Sequence, residues 1–463
     1  MMLTLADAII EEKIDLIEMM LQSGEDTNQI DEYGFTPLIE AAIADNIEIA
    51  KLLLNYGAMV NQPDMMGGSA LHWAAENNNL LFSELLLKER ANPNSYNFAG
   101  QPALVMPLLR NQTQLKKILL KYGADLSFAQ DYINTKLLGH MFELVGTATI
   151  VSPDNQFVEV DFEGFFLEIS LAIIAESLAQ FKHHFAGRQI RRYAHLTTMI
   201  IDVLNRAAAL IQYAQYRVDI KKHKTEINAL LQQEPLIIPI GYEGHAITFI
   251  KLGSLLVKCD RREESRLYDN IMIYEIGMPK RLTTNFIQRL IYEKHSDDFI
   301  NHDLPELLDL KPLTELKVPA QISGNCSWAN VEACIPALFF LLFQKDEKFF
   351  EEMTRYKNLA LKFYHEWREW NKDRALQFCV QSFKDSDQIR KACKAEILAA
   401  ILFQSANGKE ALDRERAELI LSVLMDSHYQ FILHNYVRAY YYEESSEEGR
   451  NFFRLLQQHG YNA

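Results

Sequence analysis

Asp31-Glu-Tyr-Gly34-Phe-Thr36-Pro37-Leu38, then Ala41-Ala42, then Ile49-Ala-Lys-Leu-Leu-Leu54 and Gly57-Ala58, is the stretch whose reading decides the first half of the fold. Thr36 and Pro37 start a helix, because proline tolerates the loss of its N–H at a first helical position. The paired alanines let a neighbouring helix approach closely. The leucines give a second helix an apolar face, and Gly57 permits the left-handed residue that ends it. One such unit cannot bury its own apolar face, so about three or more must stack.

The pattern recurs outward from this stretch. Gly34, Gly67 and Gly100 are spaced by 33; Gly24, Gly57 and Gly123 fall on the same period with Arg90 at the missing step; Asn28, Asn61 and Asn94 repeat it again. The next unit carries Ser69-Ala70-Leu71-His72 and Ala74-Ala75, and the third carries Pro102-Ala103-Leu104 and ends at Tyr122-Gly123-Ala124-Asp125. These residues closely resemble the ankyrin repeat, with a degenerate N-terminal cap over residues 3–30 and three fuller units in a solenoid over residues 1–127. The resemblance implies protein binding through the hairpin tips and the inner-helix face. Here the tips carry Tyr33, Phe35, Met65, Met66, Tyr96 and Phe98. Such residues serve either as anchors for a partner or as packing between adjacent tips. His72 takes the place of the ankyrin histidine that bonds backbone between repeats.

The chain has 463 residues, too many for one hydrophobic core, so further domains are expected. A net charge of -15 speaks against a broad nucleic-acid surface, and no direct nucleic-acid partner is expected. The five cysteines, Cys259, Cys326, Cys334, Cys379 and Cys393, form no CxxC pair, so neither a disulfide framework nor a zinc cluster is expected, and no metal or cofactor. The longest apolar run, Ala333 to Phe343, contains Pro336 and falls short of the ~20 residues that span a bilayer; a soluble protein without membrane insertion is expected.

After Ser127 the period is lost. Residues 145–161 combine β-branched runs with a Ser-Pro-Asp-Asn turn, a short hairpin. Residues 164–233 are helical in pattern, within a mixed connecting region over 128–233. Four strand-length apolar runs follow, Pro235–Ile240, Ala246–Ile250, Leu255–Cys259 and Asn270–Ile276, within a domain over 234–345. From about residue 327 the pattern is helical again, and residues 346–463 form a helical C-terminal region. The fold class is therefore α+β: an ankyrin solenoid, a small antiparallel sheet, and helices around and after it.

Between the first two strands lies Gly241-Tyr242-Glu243-Gly244-His245; Asp260 directly follows the third; Gln321-Ile-Ser-Gly-Asn-Cys326-Ser-Trp opens a helix. A helix N-terminus favours a thiolate through its dipole and free N–H groups. His245 and Asp260 lie near the outer ends of one hairpin, and antiparallel pairing brings those ends together, so the carboxylate can meet the imidazole. Gln321, a few residues before the thiol, is in position to complete an oxyanion hole. Asp269 is a second candidate for the acid, while Cys259 and Cys334 read as core.

The order His, acid, Gln, Cys in this context resembles the cysteine peptidases of the adenovirus-protease and ubiquitin-like-protease fold over roughly residues 235–345. That group also contains bacterial effectors that act as deubiquitinases, deSUMOylases or YopJ-type acetyltransferases. Ala246 stands where the group usually has Trp, and Asn325-Cys326-Ser327 where it usually has Asp-Cys-Gly. The resemblance implies Cys326 as nucleophile, His245 as base, Asp260 as orienter and Gln321 as oxyanion donor, for hydrolysis of an amide or isopeptide bond in a protein substrate. Acyl transfer at the same cysteine and a catalytically silent scaffold are the other readings. Glu443-Glu444-Ser445-Ser446-Glu447-Glu448 near the C-terminus resembles the signal of Dot/Icm type IV secretion substrates. With the repeats, the whole chain resembles a Legionella ankyrin effector, which implies delivery to the host cytoplasm or nucleus and a host protein as partner.

Overall fold

A computed structural model describes residues 3–214, 218, 220–242, 244–262, 271–321, 324–405 and 411–461. The repeats form four antiparallel helix pairs: α1 (Leu5–Ile10) with α2 (Ile14–Gln22), α3 (Pro37–Ile43) with α4 (Ile47–Asn55), α5 (Ala70–Glu76) with α6 (Leu80–Lys88), and α7 (Val105–Leu109) with α8 (Thr113–Lys121). Thr36 caps α3 by accepting from the Ile39 N–H at 3.2 Å, with Pro37 at its first position. The alanine pairs at 41–42 and 74–75 are fully buried between helices.

The period of 33 is written in hydrogen bonds. Asp31, Asp64 and Asn97 each accept two backbone N–H groups of their own tip through Oδ1, at 2.8–3.1 Å. Each turn then needs a left-handed residue, supplied by Gly34, Gly67 and Gly100 at φ +88°, +81° and +75°. Asn28, Asn61 and Asn94 tie each repeat to the next: their Oδ1 atoms accept the N–H groups of Met59, Asn92 and Asp125, each at 2.7 Å. Arg90 takes up a left-handed φ of +69° at the step without glycine.

The last repeat runs directly into α9 (Leu126–Phe142), whose first turn is capped by Asp125. The start of α9 packs in the ankyrin core through Phe128, Ala129 and Tyr132, and its end in the next core through Leu138, Met141 and Phe142. The expected hairpin, β1 (Thr147–Val151) and β2 (Phe157–Asp161), also spans both cores, with Ile150, Val158 and Val160 on the ankyrin side and Ala148 on the other. Helices α10 (Leu167–His183), α11 (Ala194–Gln212) and α12 (Lys224–Leu231) follow.

The main sheet is an antiparallel meander of β3 (Leu236–Tyr242), β4 (His245–Leu252), β5 (Leu255–Cys259), β6 (Ile271–Ile276) and β7 (Leu310–Leu316), paired in chain order. Sequence reading stops at four strands. The fifth is hidden by Pro312 and by its exposed, edge-strand pattern, where proline costs no ladder bond needed by a further neighbour. Alternation separates the two faces. Ile237 opposite Ile250 faces one core, while the next pair, Ile238 opposite Phe249, faces another. Short helices α13 (Thr284–Tyr292) and α14 (Leu304–Leu308), with α12, cover the second face.

The first face rests on α15 (Cys326–Leu341), of which every residue from Ser327 to Leu341 is buried. Helices α16 (Met353–Asp385), α17 (Gln388–Ser405), α18 (Ala411–Leu424), α19 (Gln430–Tyr436) and α20 (Glu447–Gln458) complete the same core. The expectation that no segment is long and apolar enough to span a bilayer is corrected: the helix continues through Pro336, and Cys326–Lys345 and Arg191–Gln212 both meet that length and composition. In the fold the first of these is the central core helix. Ser446 caps α20, and Glu447 and Glu448 occupy its first turn, where the helix dipole favours acids.

A buried ion network closes the centre. Arg261, with no exposed surface, donates to Glu143 at 2.8 Å and lies 3.5 Å from Glu332; Arg368 repeats both contacts at 2.8 and 3.5 Å. Trp328 donates to Glu332 Oε1 at 2.9 Å, and Tyr364 donates to Oε2, the oxygen the arginines face, at 3.2 Å. Removing Glu143 leaves two buried guanidinium groups undercompensated. Glu143→Ala is expected to lower stability by about 3–5 kcal/mol, measured as the shift in denaturant midpoint. An unchanged midpoint would mean that water replaces the carboxylate without cost.

Candidate functional site

Pairing places the histidine and the acid. Tyr242 opposite His245 opens β4, and Thr248 opposite Cys259 ends β5, so Asp260 reaches the Ile247 position, diagonal to His245 on the same face. The His245 Nε2 lies 3.1 Å from Asp260 Oδ1. Lys258 and Arg262 each contact the other carboxylate oxygen at 3.2 Å. Burial pushes the Asp260 pKa up, but the His245 hydrogen bond and the two cations outweigh it and hold the group well below the ordinary carboxylate range. Asp269 lies outside the described residues.

Cys326 is the first residue of α15, half-buried, with Asn325 as cap. Its thiol is influenced by His245 and by the backbone at Ala246 and Ser327. Burial opposes ionisation of the thiol, yet the His245 hydrogen bond and charge and the backbone bonds lower its pKa below the ordinary thiol value. For His245 burial favours the neutral ring, but its bonds to Asp260 and Cys326 raise its pKa. The two shifts reinforce one another: Asp260 and the thiolate favour the imidazolium, and the imidazolium favours the thiolate, so the arrangement favours a thiolate–imidazolium pair.

Gln321 is held next to the acid by its backbone N–H, which donates to the Arg261 carbonyl at 2.8 Å. Its side-chain oxygen is buried and makes no hydrogen bond among the described residues. Cys334 and Cys259 are fully buried; Cys259 is pushed far above the ordinary thiol range, first by burial, so the core reading of both holds.

Three further residues position the site and escaped sequence reading. Asn330, one turn after Cys326, donates to the Ala246 carbonyl at 2.6 Å and accepts from the Arg261 N–H at 2.8 Å. It thereby pins the residues that follow His245 and Asp260 to the helix that carries the thiol. A lone amide in an apolar helix is the signal that could have found it. His140, near the end of α9, faces Asn325 with Nδ1 and Oδ1 2.6 Å apart, and its ring stacks parallel to Trp328. Gly324, at φ +78°, lies against Glu163, which a Cβ there would meet at 2.3 Å. No sequence pattern announces these last two, because their partners lie about 160–185 residues away.

The tip residues divide. Tyr33, Met65, Met66 and Phe98 are exposed. Phe35 and Tyr96 are half-buried and pack inward, Phe35 edge-on to Trp73 at 5.1 Å and Tyr96 against Phe128 at 5.8 Å. The tips also pair in series, with the Met65 N–H donating to the Gly34 carbonyl and the Phe98 N–H to the Met66 carbonyl. His72 bonds the Gln101 carbonyl of the next repeat at 3.2 Å, the inter-repeat role expected of it.

The geometry makes a prediction about Cys326. Its lowered pKa means that the thiolate persists below the ordinary thiol pKa of ~8.5. Iodoacetamide alkylation of Cys326, followed by peptide mass spectrometry, should therefore keep its rate to lower pH than a free thiol does. His245→Ala should move the profile back up toward that of an ordinary cysteine. A wild-type profile that coincides with free cysteine would contradict the ion pair.

Comparison with known proteins adds three findings. The family model described as ankyrin repeats matches in three copies over residues 5–97. No curated protein matches the chain. The solved structure of the Legionella effector AnkH matches with a TM-score of 0.87 and 38% sequence identity, over 99% of this chain and 98% of that one.

Proposed function

The chain belongs to the AnkH family of Legionella effectors, and from that premise we propose a two-part effector that captures a host protein with its repeats and cleaves an amide or isopeptide bond at Cys326. The repeats themselves carry the coarser part: ankyrin stacks bind proteins, and this one exposes Tyr33, Met65, Met66 and Phe98 along its tips. The Glu-rich segment that runs into the first turn of α20 fits delivery by type IV secretion into the host cell.

The observation that carries the catalytic reading is the His245–Asp260 hydrogen bond at 3.1 Å beside Cys326, the first residue of a buried helix, with the thiol and imidazole each shifting the other's pKa toward the charged form. In this reading the thiolate attacks the carbonyl carbon and the oxygen becomes an oxyanion beside the helix N-terminus, with the Gln321 amide as further donor. The His245 imidazolium gives its proton to the leaving amine as the C–N bond breaks, which leaves a thioester. Water, losing a proton to His245, then releases the acid and regenerates the thiol pair. Asp260 stays ionised throughout and holds the ring. If an acceptor amine or hydroxyl enters in place of water, the same thioester yields acyl transfer.

Activity is expected in a window bounded below by protonation of Cys326, whose pKa is lowered, and above by loss of the His245 proton, whose pKa is raised. The test is labelling by ubiquitin and SUMO electrophiles that carry a C-terminal vinyl sulfone. Labelling lost in both Cys326→Ser and His245→Ala supports a hydrolase. Labelling indifferent to His245 supports a scaffold. Acetylation of the wild type after incubation with acetyl-CoA, absent in Cys326→Ser, supports transfer. Host-protein capture should survive Cys326→Ser in every case.

A further inference from the structure

The concave side of the repeats holds a pocket of about 300 Å³ that also touches the start of α10. Tyr33 and Met66 come from the first two tips, Trp73 from α5, and Phe166 from outside the repeats, just before α10. The volume is at the small end for ligand sites, enough for one side chain.

Of the polar side chains that line it, Asp64 and His72 are already committed. The Asp64 carboxylate accepts the Met66 and Gly68 N–H groups at 2.8 Å and the Trp73 indole N–H at 2.9 Å. The His72 ring is bonded to Ser69 and to the Gln101 carbonyl, and burial pushes its pKa down to about 4, so it is neutral. Glu76 differs. Its carboxylate forms no hydrogen bond or ion pair among the described residues. The nearby cation, Arg110, is engaged elsewhere: it grips Glu168 at 2.9 and 3.3 Å and donates to the Glu76 backbone carbonyl at 2.6 Å. Burial raises the Glu76 pKa; Arg110 opposes that rise and Glu168 adds to it. A half-buried acid is thus left short of positive charge, in a cup of aromatic and methionine side chains.

We infer that this pocket receives one basic side chain, arginine or lysine, presented by the protein that the repeats capture. The aromatic faces attract a cation through their quadrupoles, the methionines cover its aliphatic stem, and Glu76 supplies the opposite charge. An apolar side chain would bury Glu76 without a partner, and an acidic one would be repelled by Glu76 and Asp64. The inference deepens the capture role proposed above and rests on it for the identity of the donor as a protein. The fixed indole of Trp73, held by Asp64 and met by the Phe35 ring at 80°, provides a reporter inside the pocket.

The test uses the full-length ¹⁵N-labelled protein and reads the Trp73 indole cross-peak, assigned with Trp73→Phe. The probes are N-acetyl-arginine amide and N-acetyl-lysine amide, with N-acetyl-leucine amide and N-acetyl-glutamine amide as neutral controls. A saturable shift with either basic probe, weakened by salt and weakened roughly tenfold by Glu76→Gln, is the expected result. Equal shifts with the neutral amides, or Glu76→Gln binding the basic probes as well as the wild type, would overturn it. If Glu76→Gln loses its fold by thermal melting, the salt dependence and the neutral controls on the wild type decide the matter alone. Host-protein capture unaffected by a folded Glu76→Gln would overturn the pocket while leaving the capture role standing. A shift with the basic probes but no host protein captured would support the pocket and overturn the capture role instead.

Discussion

Helix α15 can occupy the middle of the larger core because its buried amide and carboxylate, and the amide at its cap, are answered by partners. Asn330 is held by the backbone at Ala246 and Arg261, Glu332 by Trp328, Tyr364 and two arginines, and Asn325 by His140. An unanswered amide or carboxylate at that depth costs far more than a hydrogen bond returns. The helix therefore has one rotation and one depth compatible with all its partners. Two of those partners, Ala246 and Arg261, directly follow His245 and Asp260 at the strand ends. The requirement that the core be satisfied is thus also what sets the thiol against the imidazole.

The same logic extends to the repeats. In the last unit the chain passes without a break into α9, which spends its first half in the ankyrin core and its second half in the larger one. The hairpin β1–β2 doubles the joint: the third tip leans on it at Gly100, where a Cβ would meet the Glu159 carbonyl at 2.9 Å. On the far side, Lys394 and Arg390 of α17 pair with Asp131 of α9 at 2.6 and 3.6 Å. A stack joined only by a linker would swing freely; this one is packed through two elements and salt-bridged to a third. His140, which meets the cap of the thiol helix, sits on one of those joining elements.

Within the stack, the local rule is polar rather than apolar. The leucines and alanines bury each pair, but the register between repeats comes from the Asn28, Asn61 and Asn94 bridges and the acid-centred tip turns. These bonds are saturated inside the stack. Among the described residues that line the concave pocket, Glu76 is an acid without a hydrogen bond or ion pair of its carboxylate, and that is why the pocket, rather than the tips alone, bears on the chemistry of a partner.

What could be read from the sequence was whatever local spacing encodes. The repeats are legible because each unit meets its neighbour at a constant separation of 33, so glycine, asparagine and the Thr-Pro start recur in register. The strands with continuous apolar runs and the thiol at a helix start are legible for the same reason: turn, strand and cap are decided within a few residues. The Asp260 position followed from the length of one hairpin. The edge strand Leu310–Leu316 was not legible, since Leu316 alone of its residues is fully buried and Pro312 masks it. Nor were Asn330, His140, Gly324 or the closing of the pocket by Phe166, which depend on contacts between segments far apart in the chain. Whether a buried asparagine is a clamp or a flaw, and whether an acid is paired or left waiting, is set by which distant groups fold against it, and only the tertiary structure decides that.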